Sequence, residues 1–292
     1  MPGINLMETP TQEEHWDEII APTGKLLDLR LNEVWKYSDL LLLFVKRDFA
    51  AQYKQTILGP LWHLIQPIFT TAVFLLVFHS IANIDTDGIN AIPFYMSGIA
   101  IWNYFSSCLT GTSNTFVANA GIFGKVYFPR LVIPLSTVMS NIIKFLIQFF
   151  LLLVVLVYFG IQEGHFYFGI CWLLVPVLVI MMAGMGLGLG IIISSLTTKY
   201  RDFAVLMGFA VQLLMYATPV AYPLSYIKGK SYEWLITANP LTPIVEAFRY
   251  ALFGKGSFDA LHLMYSGIFI LATLLFGAII FNRVERSFMD TV

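Results

Sequence analysis

The sequence predicts an all-α integral membrane protein with six transmembrane helices, an N-terminal amphipathic interface helix and a re-entrant extracytoplasmic hairpin. Composition is the first observation behind this. Of 292 residues, 58% are hydrophobic and 12% charged, whereas soluble globular domains carry roughly 45–50% apolar and about 25% charged residues. So much apolar surface is hard to bury in one water-facing fold. The second observation is a set of six apolar runs, 61–83, 92–118, 131–159, 167–194, 203–222 and 261–281, each near the roughly 20 residues that a bilayer-crossing helix needs. The third is the recurrence of Lys and Arg on alternate connections between these runs.

Residues 1–27 are expected to form an N-terminal cytoplasmic segment. Their acidic "MPGINLMETPTQEEHWDE" lacks the basic-then-apolar pattern of a cleavable signal peptide. Residues 28–60 are expected to form the interface helix. Leu27, Leu31, Val34 and Trp35 recur at helical spacing among Arg30, Asn32, Glu33 and Lys36, which places one apolar face beside a charged one. Two readings stay open for it: lying in the membrane boundary, or packing on a partner. Gly59-Pro60 then breaks the helix, and residues 61–292 make up the transmembrane domain. The second run is the least clean, because "SSCLTGTSNT" lies within it; that end either leaves the lipid or faces other helices. After the fifth run, Asn239-Pro240 and Pro243 signal a turn and a helix start, and Gly254 a stop. The helix between them is too short to span and suits a re-entrant or interfacial position.

Six crossings put both termini on one side, and the charges say which. Lys46, Arg47 and Lys54 precede the first run, Lys125 and Arg130 follow the second, Lys199 and Arg201 follow the fourth, and Arg283 and Arg286 follow the sixth. The short opposite connections "NIDTDGINAIP" and "GIQEGHFYFG" contain neither Lys nor Arg. Positive residues stay inside, so both termini are expected in the cytoplasm. The longer 223–260 connection carries Lys228, Lys230, Arg249 and Lys255 on the outer side, but long loops obey the rule poorly.

Several kinds of chemistry are excluded or disfavoured. A net charge of −1 without a basic stripe argues against a nucleic-acid partner. No phosphate-binding loop of the G-x-x-x-x-G-K-[ST] type occurs. Cys108 and Cys171 sit in apolar runs, and the five histidines are scattered without metal-ligand spacing, so no metal or catalytic residue is expected. In "AGMGLGLGIIISS", Gly184/Gly188 and Gly186/Gly190 form two small-xxx-small pairs, the spacing of close helix packing. Asn141, Lys144 and Gln148 share one face of the third run. Placed mid-bilayer, Lys144 costs roughly 2.5–3.5 kcal/mol on insertion scales, so this face is expected to meet protein or water rather than lipid. Structural pairing or snorkelling is its plainer role, conduit lining the sharper one. Trp62, Trp102, Tyr104, Trp172 and Tyr222 fit interfacial aromatic belts, although such rings also stack on sugars.

The stretch from Arg47 to Pro67 matches R-D-x4-Y-x2-[ST]-x-L-G-x2-W-x4-P through Arg47-Asp48, Tyr53, Thr56, Leu58-Gly59, Trp62 and Pro67. It resembles the start of the first span in type-2 ABC exporter permeases for polysaccharides, most of all the O-antigen exporters. "NAGIFGKVYFPR" (119–130), "KYRDF" (199–203), "ATPVAYP" (217–223), "NPLTPIVEAFR" (239–249) and "FNRVERSFMDTV" (281–292) follow in the family's order, so the resemblance covers residues 28–292. It implies a homodimer of permeases in the bacterial inner membrane, with two copies of a separate ABC ATPase subunit. No cofactor is expected on this chain, since ATP and Mg belong to the ATPase. The cargo implied is an undecaprenyl-diphosphate-linked polysaccharide.

On this resemblance Arg47, Lys54 and Tyr53 are candidates for the diphosphate headgroup and its first sugar, where cations make charge-assisted hydrogen bonds to phosphate oxygens. The plainer alternative is that Arg47 pairs with Asp48 or with the ATPase. Trp62, Phe69, Tyr216 and Tyr222 are candidate conduit-lining residues, and Lys125, Phe128 and Arg130 candidate ATPase contacts. Teichoic acid and capsule exporters stay open, as does a polyprenol-dependent membrane glycosyltransferase from another class.

Overall fold

The computed structural model describes residues 31–289 except 55, 124, 127, 165–168 and 201; the expected 1–27 segment lies outside the described residues. Every regular element among them is helical. Helices α1 (Leu31–Lys36) and α2 (Ser38–Tyr53) lead to a tight turn at Leu58-Gly59, then α3 (Trp62–Phe74), which runs on as π-helical turns to Ile81. After α4 (Ala91–Ser113) and α5 (Thr115–Phe123) come the long α6 (Val132–Glu163) and α7 (Leu174–Lys199). Next are α8 (Asp202–Tyr216), the short α9 (Glu233–Thr237), α10 (Thr242–Phe253) and α11 (Ala260–Met289).

Among the described residues, four helices are long and apolar enough to cross a membrane: Gly59–Ile81, Val132–Glu163, Ile170–Thr198 and Ala260–Val284. They coincide with the first, third, fourth and sixth runs. The second run is helical but splits at Asn114, whose backbone leaves the helical region (φ −102°, ψ 9°). The fifth is a 15-residue helix, about 22 Å at 1.5 Å per residue, and residues 217–223 continue as turns rather than helix. Gly59 holds φ +49°, a left-handed conformation that costs glycine least, and Pro60 opens the helical turn after it. The expected interface helix is likewise two pieces, α1 and α2, meeting at Tyr37.

The bundle is organised around α4, which packs on α3, α6, α7 and α10. Tyr95, Ile101, Phe105 and Cys108 on α4 are wholly buried. That is why its polar residues are tolerated: they face protein. Thr197 Oγ1, for example, donates to the Ser113 carbonyl at 3.0 Å. Trp102 and Tyr104 are also buried, at 3% and 2% exposure, so they are core residues and not the belt expected of them.

Helix α7 makes both of its close contacts through glycine. A Cβ on Gly186 would stand 2.7 Å from Cys108 Cβ, and one on Gly190 2.6 Å from Thr112 Cβ, both on α4. Cβ atoms on Gly184 and Gly188 would stand 2.9 Å from Ile270 Cγ2 and Thr273 Oγ1 of α11. Two residues turn a helix by roughly 200°, so the interleaved pairs serve opposite faces. The packing role read from the sequence holds for both.

A second apolar cluster ties α2, α5, the base of α6 and α11 together through Phe44, Phe116, Phe123, Phe128 and Phe281. The α1–α2 segment therefore packs on its own chain. Of the apolar pair at its start, Val34 is buried while Trp35 is 82% exposed, because adjacent helical positions diverge by about 100°.

Candidate functional site

One part of the candidate site is built where α2, the Gly59 turn and α6 converge. Helix α2 lies along α6. Arg47 donates from Nε and Nη2 to Asp48 Oδ1 at 2.9 and 2.7 Å, and its guanidinium lies 4.5 Å from the Phe44 ring centroid. The plainer expectation for Arg47, a pair with Asp48, is thus in place, while Lys46 and Lys54 stay exposed. Tyr53 packs edge-on against His63 with centroids 5.6 Å apart, and burial pushes its phenol above the ordinary value. The Tyr53 hydroxyl and His63 Nε2 are buried without a hydrogen-bond partner. Signals for His63 were absent from the motif reading; its place after the Gly59 turn is what brings it to Tyr53.

The same junction includes Lys144. Helix α6 has 32 residues, about 48 Å, against a hydrocarbon core of about 30 Å. Lys144 lies in the N-terminal half of α6, next to Phe145, and the Asp48 carboxylate and His63 ring lie within electrostatic range of it. These neighbours place Lys144 beside α2 and the start of α3. Its face is otherwise protein-facing: Asn141 and Gln148 are buried, and Gln148 Oε1 accepts from Asn103 Nδ2 at 3.3 Å.

The three candidate ATPase contacts separate. Lys125 is exposed, but Phe128 and Arg130 are each only 5% exposed. Phe128 packs 5.7 Å from Phe44 and 5.8 Å from Phe123, centroid to centroid, and the Arg130 guanidinium lies 5.2 Å from the Phe123 centroid. Phe128 joins the connection to α2 and Arg130 packs against α5, which leaves Lys125 and Val126 on the surface.

Candidate conduit residues lie on two uncovered apolar faces. On α3, Pro67, Thr71 and Phe74 are buried, while Trp62, Phe69, Val73 and Leu76 form the exposed face. On α8, Val211 alone is buried among the described residues, and Val205, Phe209, Leu213 and Tyr216 point outward. Both helices flank α4. Tyr222 is half-buried and folds back so that its hydroxyl donates to the Tyr216 carbonyl at 2.8 Å, joining two of the four candidates.

Helix α10 is buried on nearly all sides. Burial pushes the Glu246 carboxyl above its ordinary range while the neighbouring Arg249 guanidinium pulls it back. The two side chains pair at 3.2 Å. Gly254 ends the helix at φ +63°, the left-handed stop expected of it.

A family model described as "ABC-2 type transporter" matches residues 39–253, from α2 through α10. This chain belongs to the ABC-2 type transporter family. The ABC-2 chain is 29% identical over 255 residues to the O-antigen export system permease protein RfbA of Klebsiella pneumoniae, covering 86% of this chain and 94% of that one. It is 27% identical over 266 residues to the RfbA of Myxococcus xanthus (90% and 98% covered). Over 246 residues it is 23% identical to the polysialic acid transport protein KpsM of Escherichia coli (84% and 93% covered). The ABC-2 family is one of transport permeases rather than catalysts, and ABC transporter systems include an ATPase partner. With four helices apolar enough to cross, this ABC-2 chain is a multi-pass membrane protein.

Proposed function

We propose that the protein is the transmembrane subunit of an ATP-driven exporter that moves undecaprenyl-diphosphate-linked polysaccharide, the O-antigen of a lipopolysaccharide, across the bacterial inner membrane. Near-full-length similarity to O-antigen export permeases carries this reading. In it the chain crosses six times, with α4 and α8 completing the set, both termini in the cytoplasm and α10 as the re-entrant hairpin. Two copies meet along α3 and α8, and their exposed apolar faces support such a seam, since large uncovered apolar patches mark interaction or membrane surfaces.

Two ABC ATPase subunits bind ATP and Mg and dock near Lys125. The lipid diphosphate arrives at α2, where Lys54 is exposed and Arg47 exchanges Asp48 for phosphate oxygens; Tyr53 meets the first sugar. Trp62, Phe69, Tyr216 and Tyr222 then line the conduit. Similarity to KpsM favours one second reading, a capsule polysaccharide as cargo. Co-purification with an ATPase subunit, followed by ATP turnover that rises with added lipid-linked glycan, tests the assignment. A chain that purifies alone and transfers sugar to polyprenyl phosphate would overturn it.

A further inference from the structure

Three segments distant in sequence meet at one guanidinium. Arg249 of α10 is 1% exposed. Its Nη1 donates to the carbonyls of Pro219 at 2.6 Å and Tyr222 at 3.4 Å, and its Nη2 to that of Val220 at 2.5 Å. Its Cζ lies 3.8 Å from the Phe94 centroid on α4, a cation–π contact in a desolvated setting. Glu246 balances the charge and accepts in turn from Ser257 at 3.2 Å. Gly98 of α4 leaves the room: a Cβ there would stand 2.7 Å from Arg249 Nη2 and 2.8 Å from the Val220 carbonyl oxygen.

The 217–222 turn depends on this outside support. It follows α8 without helical continuity, yet Val220 and Ala221 are packed into the core at 0% and 1% exposure. Asn239 adds a second fixture, donating to the Ala217 carbonyl at 3.0 Å and to Thr218 Oγ1 at 2.9 Å. To widen the end of α8, Val220 and Ala221 must leave the core and the charge-assisted bonds to Arg249 must break.

We infer that Arg249 is a positioning residue for export, a latch that ties the turn between Tyr216 and Tyr222 to α4 and holds the outward end of the conduit closed at rest. The inference rests on the export reading, because it gives that turn a conduit to close. Replacing Arg249 alone strands a buried carboxylate, which is strongly destabilising, whereas exchanging a buried ion pair for apolar residues of similar size is often neutral. The decisive variant is therefore E246M/R249M.

The test uses the full chain with its ATPase, without ATP or cargo, carrying Tyr222→Cys and Cys171→Ser; Cys108 is buried. A membrane-impermeant maleimide should label the thiol introduced at position 222 about tenfold faster in E246M/R249M, the shift expected when one charge-assisted hydrogen bond is lost. Labelling of Lys228→Cys, on the exposed side of the same connection, should not change. R249K should fall between, and G98A, which crowds the latch without removing charge, should also speed labelling. Surface glycan per folded protein should fall with E246M/R249M. Unchanged labelling at position 222, an equal rise at position 228, or glycan loss only in proportion to lost protein would each overturn the latch. Labelling needs no cargo, so a wrong cargo assignment leaves that result standing.

Discussion

Gly186→Ala tests whether the α4–α7 contact is as tight as its geometry states. The new methyl would stand 2.7 Å from Cys108 Cβ and 3.2 Å from both the Leu109 nitrogen and the Phe105 carbonyl oxygen. Two of these three atoms are backbone, so the helices must separate instead of a side chain swinging aside. Overpacking of this kind costs roughly 1–3 kcal/mol, while the better helix propensity of alanine returns up to about 1 kcal/mol. From the middle of that range the balance is a loss of about 1 kcal/mol. At ~2–4 °C per kcal/mol, as in domains of 150–250 residues, the midpoint in detergent falls by about 2–4 °C. Gly267→Ala is the matched control: it lies inside α11, and a Cβ there meets nothing within 4 Å, so its midpoint should hold or rise. Fluorescence-detected size exclusion after graded heating reads both. A G186A midpoint at or above wild type, or an equal fall in G267A, would refute the packing argument.

Three further outcomes follow from the site. Arg47→Ala should abolish export while membrane abundance and ATPase docking stay normal; normal surface glycan would count against a headgroup role. Lys125→Ala should weaken recovery of the ATPase at unchanged abundance, whereas Phe128→Ala, which empties an aromatic position, should lose about 3–5 kcal/mol and deplete the folded protein. The reverse pattern on immunoblots would show that Phe128 is a surface contact. With Phe69→Cys in one copy and Tyr216→Cys in another, a short bifunctional maleimide should yield dimer on non-reducing gels, and its absence would argue against a seam along α3 and α8.

The four long crossings were legible because each is an apolar run whose ends are marked by charge, glycine or proline. Where the reading of the fifth run overshot, to 222, the cause was apolar content. Val220 and Ala221 look like lipid-facing residues, yet they are buried by α10 and by the Arg249 carbonyl bonds. The Glu246/Arg249 spacing was visible in sequence, but partners 27 to 30 residues away leave no periodic trace. Likewise, the loop at 119–130 announced a basic surface, and only packing against Phe44 and Phe123 shows that Phe128 and Arg130 turn inward.

The burial of α4 has a consequence for how the protein is made. Its polar side chains, among them Asn103, Ser106, Ser107 and Thr110, would be costly against hydrocarbon, and three of the helices it packs against, α6, α7 and α10, lie after it in the chain. Synthesis runs from the N-terminus, so α4 leaves the ribosome before these neighbours exist. It must wait in the shelter of the insertion machinery, with only α3 beside it, until those later helices have been translated. Chains truncated between α5 and α6 should therefore fail at membrane integration, before assembly or transport is at issue.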